Sequence, residues 1–443
     1  MGNPQSSAPL ASIGLAGAIS TLLGLVLGGS IFVLPGVLAA KAGPGVILSM
    51  AVASVVAIFS CVIAAQLASV STSNAGTTSI IEQTLGARWA FYAGWIMLAA
   101  AAMAISLLAY GNAGFIAVWF PAVNKHYVAI ATILVIAAVN MAGVRKGVGL
   151  QIYFVIFKVA VLLTFCTVGL WHIDSKLLVP FFPNGVQEAL VGSIPAFYAY
   201  VGFSVLLEIG GQIIRPKRNI PLALGIGFGV LFILYTLVPI ILVGVIPWHE
   251  YGTIASPLTT AAGRFLPNWF VQALVAAGIV SCVATINSVM IAYTHTVVYV
   301  AKAGYLPGVL ATASGSQNTP VASLILFVIV SIVGTSLGDQ LDQYAIFIVA
   351  GMMVTNIMLS LAVIRLPRKM AAQFAEAKIR LNRGSRLFFS IGLVLLSCLM
   401  LVIGLSGAPR VAAYLGLFVL IGVGLDVFRT TKSNTRAIEQ LQD

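Results

Sequence analysis

The amino-acid sequence predicts an all-α integral membrane protein of twelve transmembrane helices, built as a five-plus-five inverted repeat, and three observations carry that expectation. Of 443 residues, 60% are hydrophobic and only 8% charged, with a mean hydropathy of +1.07, a balance outside the range of soluble domains. Apolar runs of about 20 residues, the length that crosses a hydrocarbon core of roughly 30 Å, recur twelve times. The first and sixth runs are interrupted by glycine and proline. Breaks at corresponding places five runs apart are the mark of two related halves.

The runs follow in order. The first, near 11–39, contains GLVLGGSIFVLPG at 24–36, where helix-breaking residues sit at mid-membrane depth. The second, 45–69, carries Gln66, and the third, 90–120, is rich in alanine. The fourth, 126–143, ends in the loop NMAGV. The fifth, 149–171, holds Lys158 in QIYFVIFKVAVLL. The sixth, 188–213, is broken within GSIPAFYAYVGFSVLLEIGGQ at 192–212. The seventh spans 221–246, and the eighth, 268–301, sets Ser281, Thr285 and Ser288 at i, i+4 and i+7 on one helical face. The ninth, tenth, eleventh and twelfth lie near 320–338, 343–365, 386–406 and 411–428. One membrane domain, 1–443, is thereby expected, with a first repeat at 11–171, a second at 188–365 and two accessory helices at 386–428.

The net charge of +12 is explained by topology rather than by nucleic acid. With a cytoplasmic N-terminus, seventeen of the 23 basic residues fall in inner loops and tail, five (Lys41, Lys125, Lys176, Arg264 and Arg410) fall outside, and Lys158 is the remaining one. That asymmetry obeys the positive-inside rule and places both termini in the cytoplasm. The densest basic stretch, 365–386, can also touch anionic lipid. The first run lacks a basic n-region and a small-residue cleavage site, so it reads as a span and not a cleaved signal. Cys61, Cys166, Cys282 and Cys398 lie inside spans without disulfide or zinc spacing, and no cofactor or metal is expected. GTSLG at 334–338 matches a hydrolase nucleophile motif but lacks the strand, turn and helix that motif needs. A channel would show repeated pore-lining rings.

Two ionisable groups lie well within spans, Lys158 and Glu208. A charge at the bilayer centre costs on the order of 2.5–3.5 kcal/mol and turns inward. Each is a candidate for gating or proton coupling, or for a structural pair. The interrupted spans supply the rest of a candidate site. Unpaired backbone groups are intolerable against lipid but useful around a polar ligand. The amides of Gly29, Ser30 and Ile31 open the second half of the first span and can hold a carboxylate. Carbonyls near Val26, Tyr198 and Val201 can accept from an ammonium. The simpler reading of GLVLG is close packing of small residues.

These stretches resemble the amino acid-polyamine-organocation (APC) superfamily. GGSIF is similar to that family's G-S-G-I-F, and FYAYVGFS followed by RPKRNIP is similar to its F-A-Y-x-G-F-E and N-P-K-R-N-I-P. LGARWAFYAGW at 85–95 resembles the entry into the third span. NMAGV followed by Lys158 resembles the fourth-to-fifth connection, and HTVVYVAKAGYLP at 295–307 resembles the end of the eighth span. The resemblance implies the five-plus-five (LeuT-like) fold and secondary transport of amino acids by alternating access. It implies a substrate carboxylate on the amides of Gly28, Gly29 and Ser30, an amino group on the carbonyls of Val26, Tyr198 and Val201, and Tyr198 capping the site. Ala199, Gly202 and Ser204 complete the second break. A fifth-span lysine occupies the place of a sodium ion in sodium-independent members, and Lys158 fits it, with Ser281, Thr285 and Ser288 as candidates to meet it.

The departures from the family pattern bear on substrate. Ser30 replaces a glycine and narrows the carboxylate site. Ser204 stands where many members carry glutamate, and Glu208 lies one turn further on. Gln66, His295 and Ala303 replace a glutamate, an arginine and an aspartate. With no acid in the pocket and an uncharged third span, a neutral amino acid is expected, driven by protons or by exchange. Polyamines or other organic amines are the alternative cargo, and a transporter-like sensor or partner-dependent subunit the alternative class. The expected location is a plasma membrane, in a prokaryote the inner one.

Overall fold

The computed structural model describes residues 13–70, 76–141, 148–203, 206, 213–254, 256–302, 304–312, 320–377 and 379–442. Its regular elements are helices. Helix α1 (Leu15–Val26) stops at the first glycine pair and α2 (Ser30–Ala42) resumes after it. There follow α3 (Val46–Val70), α4 (Gly76–Leu85), α5 (Ala87–Trp119), α6 (Lys125–Met141), α7 (Val148–Gly169) and α8 (Val186–Phe197). The second half contains α9 (Pro216–Val245), α10 (Pro257–Ala262), α11 (Asn268–Lys302), α12 (Val321–Gly334), α13 (Leu341–Lys369), α14 (Ala371–Ala375), α15 (Arg383–Gly407) and α16 (Pro409–Gln442). Eight helical stretches are long and apolar enough to cross a membrane, and α6 and the Val321–Leu337 segment are shorter apolar helices.

Local chemistry sets many of the ends. Proline opens α9, α10 and α16, where its missing N–H would have no helical acceptor anyway. Asn382 caps α15, its side chain accepting from Ser385 N at 2.7 Å, as N-cap residues do. Gly86, at φ +107°, turns the chain between α4 and α5, a conformation that side-chain-bearing residues resist. The ten-residue α4 was not expected, because a search for 20-residue apolar runs passes over a short helix with an exposed polar face.

The alanine-rich α5 is the most enclosed long helix. It packs along α11 and α13, while α3 runs against α8 and α9, and α1 lies between α7 and α9. Small side chains on α5 let these neighbours approach closely, the usual means of helix association where lipid provides no hydrophobic drive. The only β feature among the described residues is an isolated parallel bridge, with Ile214 N donating to Ile13 O at 2.9 Å. It holds the start of α1 against the lead-in to α9.

Gln66 joins distant parts. Its Nε2 donates to Ile379 O at 2.9 Å, its Oε1 accepts from Leu381 N at 2.8 Å, and Ser69 Oγ adds a bond to Ile379 O at 2.8 Å. A glutamate could not make both amide bonds, since an ionised carboxylate only accepts. The chain connecting α14 to α15 is thereby pinned to α3.

Candidate functional site

The site is built around the interval from Leu27 to Gly29. A helix that ends inside a protein leaves carbonyls without intrahelical donors, and each one at the end of α1 finds a partner. Leu27 N donates to Leu23 O at 2.9 Å and Gly28 N to Leu25 O at 3.1 Å. Lys158 Nζ, from α7, donates to Gly24 O at 3.0 Å and to Leu27 O at 3.3 Å. Ser281 Oγ, from α11, also donates to Leu27 O, at 3.3 Å. Tyr235, fully buried on α9, donates its hydroxyl to Val26 O at 2.9 Å and lies 3.2 Å from Ser30 Oγ. A cation at a helix C-terminus is also favoured by the helix dipole. Lys158, only 7% exposed, thus has both geometric and electrostatic reason to sit there.

On the other side of the break, Phe32 N donates to Gly29 O at 3.2 Å, and the amides of Gly29, Ser30 and Ile31 make no backbone bond among the described residues. The break therefore has two chemical faces. Its carbonyl face is occupied by protein donors, and its amide face makes no backbone bond among the described residues.

The glycines are set by crowding. A methyl group at Gly29 would come 2.5 Å from Cys282 Sγ and 2.6 Å from Leu108 Cδ2; one at Gly28 would come 2.6 Å from Thr285 Oγ1. The backbone of Gly29 is ordinary α-region, so space alone excludes a side chain.

The second interruption lies beside the first. After α8, which contains Pro195, a 3₁₀ turn runs over Tyr198–Tyr200, and Val201 N donates to Tyr198 O at 3.0 Å. Gly202 has φ +128°, and a methyl group there would come 2.9 Å from Val26 Cγ2. The two interruptions are therefore packed together at Val26. Tyr198, Ala199 and Tyr200 are buried, and the Tyr200 and Tyr235 rings lie 5.0 Å apart.

Val26, Gly28, Gly29, Ser30, Ile31, Lys158, Ser281 and Thr285 thus gather around one interval, with Tyr198, Ala199, Val201 and Gly202 adjoining. Thr285 donates to Ser281 O at 2.8 Å, within its own helix. Ser288 is not brought to the lysine. It is exposed and back-bonds to Ala284 O at 2.9 Å, because seven residues carry it about 10 Å along α11 from Ser281. Ser204, Glu208 and Ala303 lie outside the described residues. Tyr235 escaped the sequence reading, although a phenol deep in an apolar run requires a partner.

A cavity of about 240 Å³ opens above α2. It extends from Phe32 and Val33 to two ion pairs at its rim, Lys41–Asp342 at 2.6 Å and Lys125–Asp339 at 2.7 Å. Tyr251, in a 3₁₀ turn lining the same space, donates to Leu242 O at 2.6 Å. Burial, with Glu250 adding to it, pushes its hydroxyl well above the ordinary phenol range, so it stays a donor.

Comparison with known proteins adds a family-level match. The amino acid permease family model matches residues 13–425. The chain is 26% identical to the methylthioribose transporter of Bacillus subtilis, over 79% of this chain and 80% of that one. It is 25% identical to the branched-chain amino acid permease BcaP of the same organism, over the same shares of the two chains. It is 27% identical to human cationic amino acid transporter 4, over 69% of this chain and 52% of that protein.

Proposed function

Because the chain belongs to the amino acid permease family, a family of membrane transporters and not of enzymes, we propose that it carries neutral amino acids by alternating access without sodium. The observation that carries this reading is the pair of bonds from Lys158 Nζ to the carbonyls of Gly24 and Leu27. These acceptors could coordinate an alkali cation, and a protein ammonium already occupies them.

In this reading α1 and α2 are the halves of one broken span, and α8 with the residues after it forms the other. Added to the eight long apolar stretches, α3 counted separately, α6, α12 and this second broken span give twelve. The repeats are 11–171 and 188–365, with accessory helices at 386–428, and both termini lie on the cytoplasmic side of the plasma membrane. The substrate carboxylate lies on the amides of Gly29, Ser30 and Ile31, beside Gly28. Its ammonium meets acceptors of the second break, where Val201 and Gly202 turn the chain. Tyr198 closes over it, and the first, second, sixth and seventh spans then rock against the rest. Lys158 or Glu208 carries a proton if the cycle is proton-driven.

The described groups gathered at the break comprise one cation, the hydroxyls of Ser30, Tyr235, Ser281 and Thr285, and backbone. Such a set suits a zwitterion whose side chain is uncharged, and among the described residues of the break no acid is present to pair with a cationic side chain. The rim pairs at Asp339 and Asp342 are likewise neutralised. Uptake of labelled amino acids and amines into proteoliposomes in sodium-free buffer, with and without a proton gradient, tests the reading. Accumulation of a neutral amino acid is expected. Uptake confined to cationic amines would contradict it.

A further inference from the structure

Behind the cavity above α2, which Tyr110 lines, stands a titratable group to which this transport cycle gives no part. His126, half-buried in the first turn of α6, sets Nδ1 2.6 Å from the hydroxyl of Tyr110 on α5. The same hydroxyl lies 3.2 Å from the carbonyl of Thr335, just past the end of α12. Tyr110 is 2% exposed, and its hydroxyl has these two partners among the described residues. A phenol has one hydrogen to donate, and the two acceptors compete for it.

The protonation of the imidazole decides the competition. With its hydrogen on Nε2, the neutral ring accepts at Nδ1, and Tyr110 donates to it. Once the ring carries both protons, Nδ1–H donates to the phenol oxygen, and the phenol hydrogen turns to Thr335 O. One proton taken up from outside therefore makes a hydrogen bond between α5 and the end of α12 without breaking the one between α5 and α6.

We propose that His126, Tyr110 and the Thr335 carbonyl form an external proton-binding site that couples vestibule pH to the packing of α5, and so to transport. The inference rests on the reading of the chain as a transporter.

The charged groups around His126 are paired with one another. On its own helix, Lys125 is held by Asp339 at 2.7 Å, and the Tyr127 ring lies 6.0 Å from the imidazole. Ahead of α13 stands that same Asp339, which also acts on Tyr110 through space. On α13, Asp342 is held by Lys41 at 2.6 Å, and the Tyr344 ring lies 6.0 Å from that of Tyr110. The end of α12 presents the Thr335 carbonyl, and α5 presents Tyr110 itself. Histidine is the side chain that changes charge between about pH 5 and 8.

The route to the centre is short. Gly111, next to Tyr110, is where α5 meets α2, and a methyl group there would come 2.6 Å from Val33 Cγ2. Val33 stands in the first turn of α2, just beyond the break.

The test combines two measurements on the full chain. In proteoliposomes at fixed internal pH, external pH is stepped from about 7.5 to about 5.5, over which the occupancy of an ordinary histidine changes about tenfold. Wild-type uptake should change several-fold over that step, whereas His126→Asn, which keeps a hydrogen-bonding group near Nδ1 but cannot titrate, should transport with a flat profile. An unchanged profile in His126→Asn, or none in the wild type, overturns the proposal. Exchange of the His126 C2 hydrogen, read by mass spectrometry on purified protein, needs no transport. Its midpoint should move in Tyr110→Phe, and an unmoved midpoint overturns the relay. If no amino acid is taken up at any pH, the transport reading fails while the exchange measurement still decides whether the relay exists.

Discussion

The buried break at Leu27–Gly29 and the rim of the cavity above α2 both gather charge, but by opposite means. At the break, one ammonium of 7% exposure is held by neutral carbonyls. At the rim, two lysines meet two aspartates, with the Lys41 side chain 55% exposed. An exposed ion pair is worth about 0–1 kcal/mol and is weakened by salt. A hydrogen bond from a charged donor at a buried site is worth about 1.5–3 kcal/mol. Similar distances therefore stand for different energies, and substitutions at the two places should separate them.

The largest effect is expected at Gly29. Gly29→Ala drives a methyl group toward Cys282 and Leu108 and displaces the open amides, and a displacement near 1 Å can cost about 100-fold in rate. Uptake kinetics should show that loss, and Cys282→Ala in the same chain should recover part of it. Next comes Lys158→Ala, which leaves the Gly24 carbonyl without its donor. A fall in kcat/KM of about 10- to 100-fold is expected, with Lys158→Gln recovering little. Tyr235→Phe keeps the ring but removes the hydroxyl from Val26 O; about fivefold is expected, mostly in KM. Lys41→Ala at the rim should change uptake less than about fivefold at low ionic strength, and the difference should vanish in high salt. If Lys41→Ala proved more damaging than Lys158→Ala, the contrast between rim and centre would be reversed.

A control away from both regions sharpens the comparison. Gln66→Glu removes an amide donor from Ile379 O and sets a carboxylate oxygen against it, for a cost of about 1–3 kcal/mol. The melting temperature in detergent should fall, while the KM of the protein that remains folded stays unchanged.

What could be read from the chain followed from cost. Glycine and proline in the middle of apolar runs are expensive enough to stand out, and so is a lone lysine at membrane depth. Both pointed to the interval where α1 ends and α2 begins. Tyr235 did not stand out, because a tyrosine in LFILYTLVPII looks like any aromatic until its hydroxyl is known to reach Val26 O, 209 positions away. The substitution of Gln66 for a family glutamate read as a departure without a cause; the cause lies 313 residues further on, at Ile379. Ser288 shared the helical face of Ser281, but periodicity gives only an angle. Where along α11 the neighbours end depends on how α1 and α7 cross it, which no local pattern encodes. His126 opened the fourth apolar run without standing out there, and its tie to Tyr110 exists only because α5 and α6 pack against each other.

The central claim is that the ammonium of Lys158 does the work of a sodium ion at the broken helix. It is tested most directly by the sodium dependence of initial uptake of the best neutral amino acid into proteoliposomes, measured for wild type and for Lys158→Ala. Equal wild-type rates with sodium and with an inert replacement cation are expected, together with a collapse in Lys158→Ala. Wild-type uptake that appears only with sodium, or a Lys158→Ala variant that transports normally without it, would contradict the account.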